Sequence, residues 1–346
     1  MKKTLLMLII LLAAMGAFAQ TTFDFTTFQD AFNQFAGDVA NSLPFNASIG
    51  LNWSDAYIGQ LLDVPPHFGA GVSLGATTIP SASITTMLGP SGLNIALPAE
   101  VSQYIQYGVP IPAYTVEGRI GGFLLPFDIG LKVGYIPPGT LQSWGIPVDV
   151  NYILAGADVR FALLEDSGIL PAVSVGAGYT YMRGSVSVPG LLGSGIEITS
   201  IDPPGPDGPY DITLTDPDLN FTWGTNVIDL KAQVSKNLLI FTPYLGAGAS
   251  YGISSAGGGV TSELLINGSA PTQADIDAIT AYLESQGQTV DLSAQGFIIQ
   301  AAANGWSFRA FGGVSMNLLI VKLDLTGMYN FLSNDFGASV GLRVQL

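Results

Sequence analysis

The sequence predicts an all-β fold: a closed antiparallel transmembrane β-barrel of about twelve strands, within a range of roughly ten to fourteen. An N-terminal amphipathic helix and helices in long outer loops accompany it. Three observations predict this class. No stretch of 18 apolar residues follows the first twenty positions, so no helix spans a membrane. Hydrophobic residues nevertheless make 48% of the 346-residue chain, mean hydropathy is +0.43, and charged residues are only 11%, too few to cover a soluble surface. Finally, the apolar residues recur at period two in segment after segment, which is the strand signature.

The N-terminus reads first. Lys2 and Lys3 precede an apolar run from Leu5 to Ala14, followed by Gly16-Ala17-Phe18-Ala19. A charged, an apolar and a small-residue region in that order predict a signal peptide over 1–19, so the mature chain is exported and starts near Gln20. An uncleaved anchor is the alternative, but the run is short for a span of about 20 residues. Next, Phe25, Phe28, Phe32, Phe35, Val39 and Leu43 recur at helical spacing and predict an amphipathic helix ending before Pro44. It is either a plug in the barrel mouth, gated by Phe25, Phe28, Phe32 and Phe35, or a clamp over the lower edge. The domains are therefore 1–19 signal peptide, 20–43 helix or plug segment, and 44–346 barrel.

Eleven alternating segments follow, near 45–54, 66–79, 113–124, 127–137, 149–164, 169–187, 220–235, 238–254, 304–317, 319–332 and 335–346. The last is the clearest: from Phe336 to Leu346 every even position is apolar and every odd one small or polar. Turns at Leu125-Pro126, 165–168, Lys236-Asn237 and Asn317-Leu318 are tight, whereas 80–112, 188–219 and 255–303 are long. Short turns on one side and long loops on the other fit a barrel that must close, because an open edge in lipid leaves backbone groups unpaired. A secreted two-sheet sandwich would also alternate, but it needs far more outward charge. Single-chain barrels have even strand counts, so either a twelfth strand lies at 21–27 or one of the eleven is false. Helices are expected at 98–107 and, behind a Thr272-x-x-Asp275 capping box, along Ile276, Ile279, Tyr282 and Leu283 to Gly287.

Removing 1–19 leaves nine bases against 26 acids. Seven bases fall on the polar faces of strands: Arg119, Lys132, Arg160, Lys231, Arg309, Lys322 and Arg343. Four acids share those faces, Glu117, Asp158, Asp229 and Asp324, which gives a lumen of net +3 inside a strongly negative exterior. Several of the bases stand about six residues from their short turns, roughly 15 Å up, and form a belt near mid-membrane. The belt is either an internal ion-pair network or a constriction for anions and carboxylates. Arg309 and Arg343, with no acid on their own strand, are the stronger substrate candidates. Phe221 and Trp223 share parity with Asp229 and Lys231, so that strand either bulges or sends its aromatics into the outer vestibule. Aromatics at strand ends, among them Trp53, Tyr135, Tyr179, Tyr181, Trp306, Tyr329 and Phe331, suit interfacial girdles.

Little else in the chain carries chemistry. There is no cysteine, and the single histidine, His67, stands at a strand start beside Pro66. Gly71-Val-Ser73-Leu-Gly75 and Gly337-Ala-Ser339-Val-Gly341 match G-x-S-x-G but lie mid-strand with no following helix, so neither is a nucleophile elbow. No catalytic residue, metal or cofactor is expected, and the acidic balance excludes nucleic-acid binding.

Signal peptide, inward-polar strands, short and long loops and the alternating C-terminal strand together resemble the bacterial outer-membrane β-barrel class across 44–346. Leu346 departs from the aromatic that usually ends such chains. The N-terminal amphipathic segment, outer helices and glycine content look like fatty-acid-transporter-type barrels, an architectural likeness that carries no binding residues. The resemblance implies residence in the outer membrane with lipid as a partner. The expected function is a passive channel or uptake porin for small anionic or carboxylate-bearing hydrophobic solutes. The alternative is a plugged structural or surface-interaction barrel acting through its acidic outer loops.

Overall fold

A computed structural model describes residues 25–80, 82, 85, 108–143, 148–189, 195–201, 209–285, 291–293 and 296–346. The expected signal peptide, the expected helix at 98–107 and Gly287 lie outside the described residues. Helix α1 (Phe25–Asn46) is followed by an irregular segment and strand β1 (Phe68–Ile79). Then come β2 (Val109–Gly121), β3 (Phe127–Ile136), the short helix α2 (Thr140–Ser143), β4 (Asp149–Leu164) and β5 (Ala172–Val188). β6 (Gly195–Ile201), β7 (Tyr210–Ser235), β8 (Phe241–Ile266), helix α3 (Gln273–Ser285) and β9 (Asp291–Ser293) come next. β10 (Gly296–Leu318), β11 (Val321–Asn330) and β12 (Phe336–Gln345) complete the described chain.

Ten strands close on themselves in the order β1-β2-β3-β4-β5-β7-β8-β10-β11-β12, every pair antiparallel, with β12 returning to β1. β6 pairs only with β7, and β9 only with β10, so both stand off the barrel path. This corrects the expected count of about twelve barrel strands. The false strand is the one near 45–54. Its alternation is real, but Phe45 and Asn46 end α1, and left-handed backbone at Gly50 (φ 87°) and Leu51 (φ 59°) breaks the extended chain. Both faces are also buried there: Ile49 and Trp53 as well as Asn46 and Ser54. A segment that is buried all round belongs inside a wall rather than in it. The described part of 21–27 is helical, so no strand replaces it.

With ten strands both barrel ends meet at one rim, where the Leu346 amide donates to the Phe68 carbonyl (2.9 Å). The tight turns β2–β3, β4–β5, β7–β8 and β10–β11 share that rim, and the long connections lie at the other. β7 and β8 run 26 residues each, so with β10, β6 and β9 they rise beyond the barrel as a sheet. α3 forms there as expected. The Thr272 amide donates to Asp275 Oδ2 (2.9 Å) and the Asp275 amide to Thr272 Oγ1 (3.3 Å), while Ile276, Ile279 and Leu283 are buried.

Outward-facing residues of the wall are apolar and exposed, among them Leu131, Val133, Val159, Leu230, Leu325 and Val340. α1 packs inside the mouth, chiefly on the upper parts of β8 and β10, not over the lower edge. It continues through Pro44 to Asn46, and glycine makes the seat: a Cβ at Gly252 would intrude on the Pro44 ring. Gly252→Ala is therefore expected to lift α1 while the barrel stays closed. Chymotrypsin should then cut within 25–46, which the intact protein is expected to resist, with heat-modifiable migration on gels unchanged.

Candidate functional site

The lumen holds the chain's own N-terminal segment in two tiers. In the upper tier, Val39, Ala40 and Leu43 of α1 pack with Ile79, Tyr152, Leu154, Met182, Val227 and Ala256 from the wall. Phe32 and Phe35 lie 6.1 and 5.1 Å from the Phe221 ring, and Trp223 flanks it. The β7–β8 register runs unshifted from Asp218 to Ser235, so Phe221 and Trp223 face the vestibule without a bulge between them and the belt. The side chains of Phe25 and Phe28 lie outside the described set.

In the lower tier, residues 47–58 run down the polar half and the belt grips them mainly by their backbone. Lys132 Nζ donates to the Ala47 and Ile49 carbonyls (2.6 and 2.8 Å) and Lys231 Nζ to the Leu51 carbonyl (3.2 Å). Gln233 donates to the Trp53 and Ser54 carbonyls, and Arg160 to that of Asp55 (2.6 Å). In return Glu117 accepts from the Leu51 amide (2.7 Å) and the Trp53 indole (2.8 Å), and Asp128 from the Ile58 amide (3.2 Å). Contacts follow the chain downward, from Ser42 on Asp335 at the long-connection rim to Leu61 on Gly122 at the short-turn rim. The N-terminal segment therefore threads the whole barrel before β1 begins.

The structure brings all eleven lumen candidates together: Lys132 and Glu117 bond the plug, Lys322 pairs with Asp55, and the other eight ion-pair across strands. Arg119 binds Asp128 and Asp158, Arg160 binds Asp128 (2.8 Å), and Lys231 binds Asp158 (2.6 Å). Arg309 holds Asp229 (2.6 Å) with Ser250, and Arg343 holds Asp324 (2.7 Å). Arg119–Asp128, Arg160–Asp128 and Arg343–Asp324 join adjacent strands, about 5 Å apart. Arg119–Asp158, Lys231–Asp158 and Arg309–Asp229 each reach over an intervening strand, where Gly130, Gly178 and Gly248 leave the room. Arg309 and Arg343, the two bases lacking an acid on their own strand, are thus both engaged.

Two acids escaped the sequence reading. Asp128 has the parity of Lys132 but sits beside the turn, and Asp55 lies on no strand. Asp55 binds both Lys322 (2.8 Å) and Arg343 (2.9 Å). With these two included, seven bases face six acids, so the lumen is near balance instead of at net +3. Trp53 is not a girdle aromatic: it is buried, and the Arg343 guanidinium lies 4.6 Å from its ring centroid. Tyr135, Tyr179, Trp306 and Phe331 are exposed on the outer wall, where a girdle belongs. Between plug and belt, a cavity of about 20 Å³ bordered by Lys132, Asp158, Thr180, Asp229, Lys231 and Ser250 has room for one water. His67 holds the turn into β1, with Nδ1 3.0 Å from the Gln60 carbonyl. Ser73 and Ser339 lie mid-strand in β1 and β12, as their surroundings predict.

The family model described as Lsa36-like matches residues 137–346. No curated protein sequence matches the chain. Among solved structures, the chain is similar to the outer membrane protease OmpT from Escherichia coli, at 11% identity and a TM-score of 0.38, covering 82% of this chain and 97% of that one. The translocator domain of the autotransporter NalP from Neisseria meningitidis is similar at 8% identity and TM-score 0.29, with coverage of 93% and 100%. A FadL homologue from Pseudomonas aeruginosa is similar at 10% identity and TM-score 0.27, with coverage of 95% and 99%.

Asp55 ties the lower tier to the wall, with Lys322 and Arg343 on its carboxylate at 2.8 and 2.9 Å. Asp55→Asn should cost about 3 kcal/mol locally by leaving both cations short of a partner. That is a roughly hundredfold loss of hydrogen-exchange protection in 51–58.

Proposed function

This chain belongs to the Lsa36-like family, and from that premise we propose that it is a plugged outer-membrane β-barrel working through its long-connection face as a surface-interaction protein. The apolar outer wall, interrupted by few charges, supports residence in lipid. Short turns then face the periplasm and the long connections face outward. At the outer end Asp30, Asp211, Glu263, Asp277 and Glu284 are exposed, and Arg183 is the one base there among the described residues. The raised sheet is also far larger than the barrel needs in order to close. An electronegative face of this kind favours basic partners and repels acidic ones.

The observation that carries the reading is the seal. Ten strands enclose a lumen little wider than the eight-strand barrels that side chains fill, and one chain segment occupies the surplus. A passive channel for anionic or carboxylate-bearing solutes would first have to expel 47–58, breaking its contacts with Lys132, Lys231, Glu117 and the Asp55 pairs.

Planar-bilayer conductance tests the proposal. The intact protein is expected to be silent. Deleting 25–46 should leave it silent, because the lower tier remains. Deleting 25–60 should open a pore, anion-selective because seven bases would face five acids. Steady conductance from the intact chain would overturn the plugged reading in favour of a channel.

A further inference from the structure

The hairpins at the short-turn rim carry aliphatic side chains where a water-facing turn carries polar ones. Asn237-Leu238-Leu239-Ile240 joins β7 to β8, and Asn317-Leu318-Leu319-Ile320 joins β10 to β11. The same four residues in the same order make both turns. In each, the third residue takes left-handed backbone, φ 62° at Leu239 and φ 58° at Leu319. That region favours glycine and asparagine and disfavours a bulky side chain. Yet these leucines are 90% and 98% exposed, so no packing within the chain explains them. The other two hairpins repeat the theme, with Leu124 85% and Ile169 95% exposed. At this rim Lys236 pairs with Asp166 and also donates to the Gly168 and Leu170 carbonyls, while Asp63 and Glu165 are exposed.

We propose that these four tips form a crown inserted into the hydrocarbon of the nearer membrane leaflet. The proposal rests on the reading of the chain as a membrane-spanning barrel. It is carried by continuity: the exposed apolar wall, through Leu163, Phe241, Leu245 and Val344, leads to the tips. The tips come from all four hairpins of this rim, and a ring of apolar groups fits a surrounding solvent better than a partner on one side. Lipid explains why leucine stands where asparagine would relieve the backbone: its side chain is needed outside the protein. The crown would anchor the barrel by its short-turn end and fix the depth of the belt in the bilayer.

The chain has no cysteine, so single labels report cleanly. Leu239→Cys, Leu319→Cys and, on the mid-wall, Leu131→Cys are each coupled to an environment-sensitive fluorophore. Each variant is reconstituted in phosphatidylcholine vesicles with or without brominated acyl chains, after heat-modifiable migration shows that it has folded. The labels at 239 and 319 are expected to lose as much fluorescence to bromolipid as the label at 131, and to be shielded from iodide. Bromolipid quenching at 131 alone, with iodide quenching at 239 and 319, would put the crown in water and overturn it while the barrel reading stood. Absence of bromolipid quenching at 131 would overturn the barrel reading and the crown with it.

Discussion

A charge sealed inside a barrel cannot reach bulk water, so it must find a partner, and the rest of this molecule follows from that requirement. An apolar outer wall leaves the scarce bases only the lumen to occupy. Seven of them there would be prohibitively costly beside four acids alone. The remedy has two parts. Asp128 and Asp55 bring the formal balance within one charge, and the carbonyls of 47–55 absorb the donors that remain. The segment is therefore as much a ligand of the belt as an obstruction, and the belt in turn is the reason an irregular chain can lie buried with its polar groups satisfied.

Glycine makes room for this arrangement. At Gly130 a side chain would collide with Asp158 and Arg119, at Gly156 with Lys132, and at Gly248 with the Arg309 guanidinium. These are inward positions on strands, not turns. Long bases lie flat across the inner wall only because the neighbouring strand offers no side chain beneath them, and Gly252 makes the same provision for Pro44. Much of a glycine content that looks like loop material in the composition is the clearance a filled lumen requires.

The wall was legible in the sequence because its pattern is dictated locally: a residue facing lipid must be apolar and the next must not. Alternation located each of the ten barrel strands, put seven bases inward, and left Phe221 and Trp223 to either a bulge or the outer vestibule, between which the unshifted register decides. The plug was not legible for the same reason. Phe45, Ala47, Ile49, Leu51 and Trp53 alternate as a strand does, but nothing local reveals that Asn46, Ser48, Asn52 and Ser54 are buried as well. Asp55 carries no periodic signal at all, and its two cationic partners lie more than 250 residues away in sequence. Asp128 shares parity with Lys132, but it stands beside a turn, where alternation no longer fixes which way a side chain points. Which base pairs with which acid was beyond reach, since cross-strand registers decide it.

The two tiers of the plug differ in what holds them, and that difference limits how the lumen could ever open. α1 is seated chiefly by apolar contact at a mouth that faces water, and its tie to a charge, Ser42 on Asp335, would leave that carboxylate its bond from Ser333. The segment below differs: lifting it strips Lys132 of both its carbonyl partners and Arg343 and Lys322 of Asp55. Its direction of travel is restricted too, because its far end continues into β1 at the short-turn rim while α1 stands at the opposite one. To withdraw past β1 the helix would have to be dragged down through the polar belt, carrying Val39 and Leu43 across it. The easy motion, α1 swinging away at the long-connection mouth, therefore uncovers the vestibule without opening the barrel. What such a motion would expose is the aromatic surface of Phe221 and Trp223, on the same face as the raised sheet and its acids. On this geometry the helix is a cover for a surface, and the seal of the membrane rests with the twelve residues beneath it.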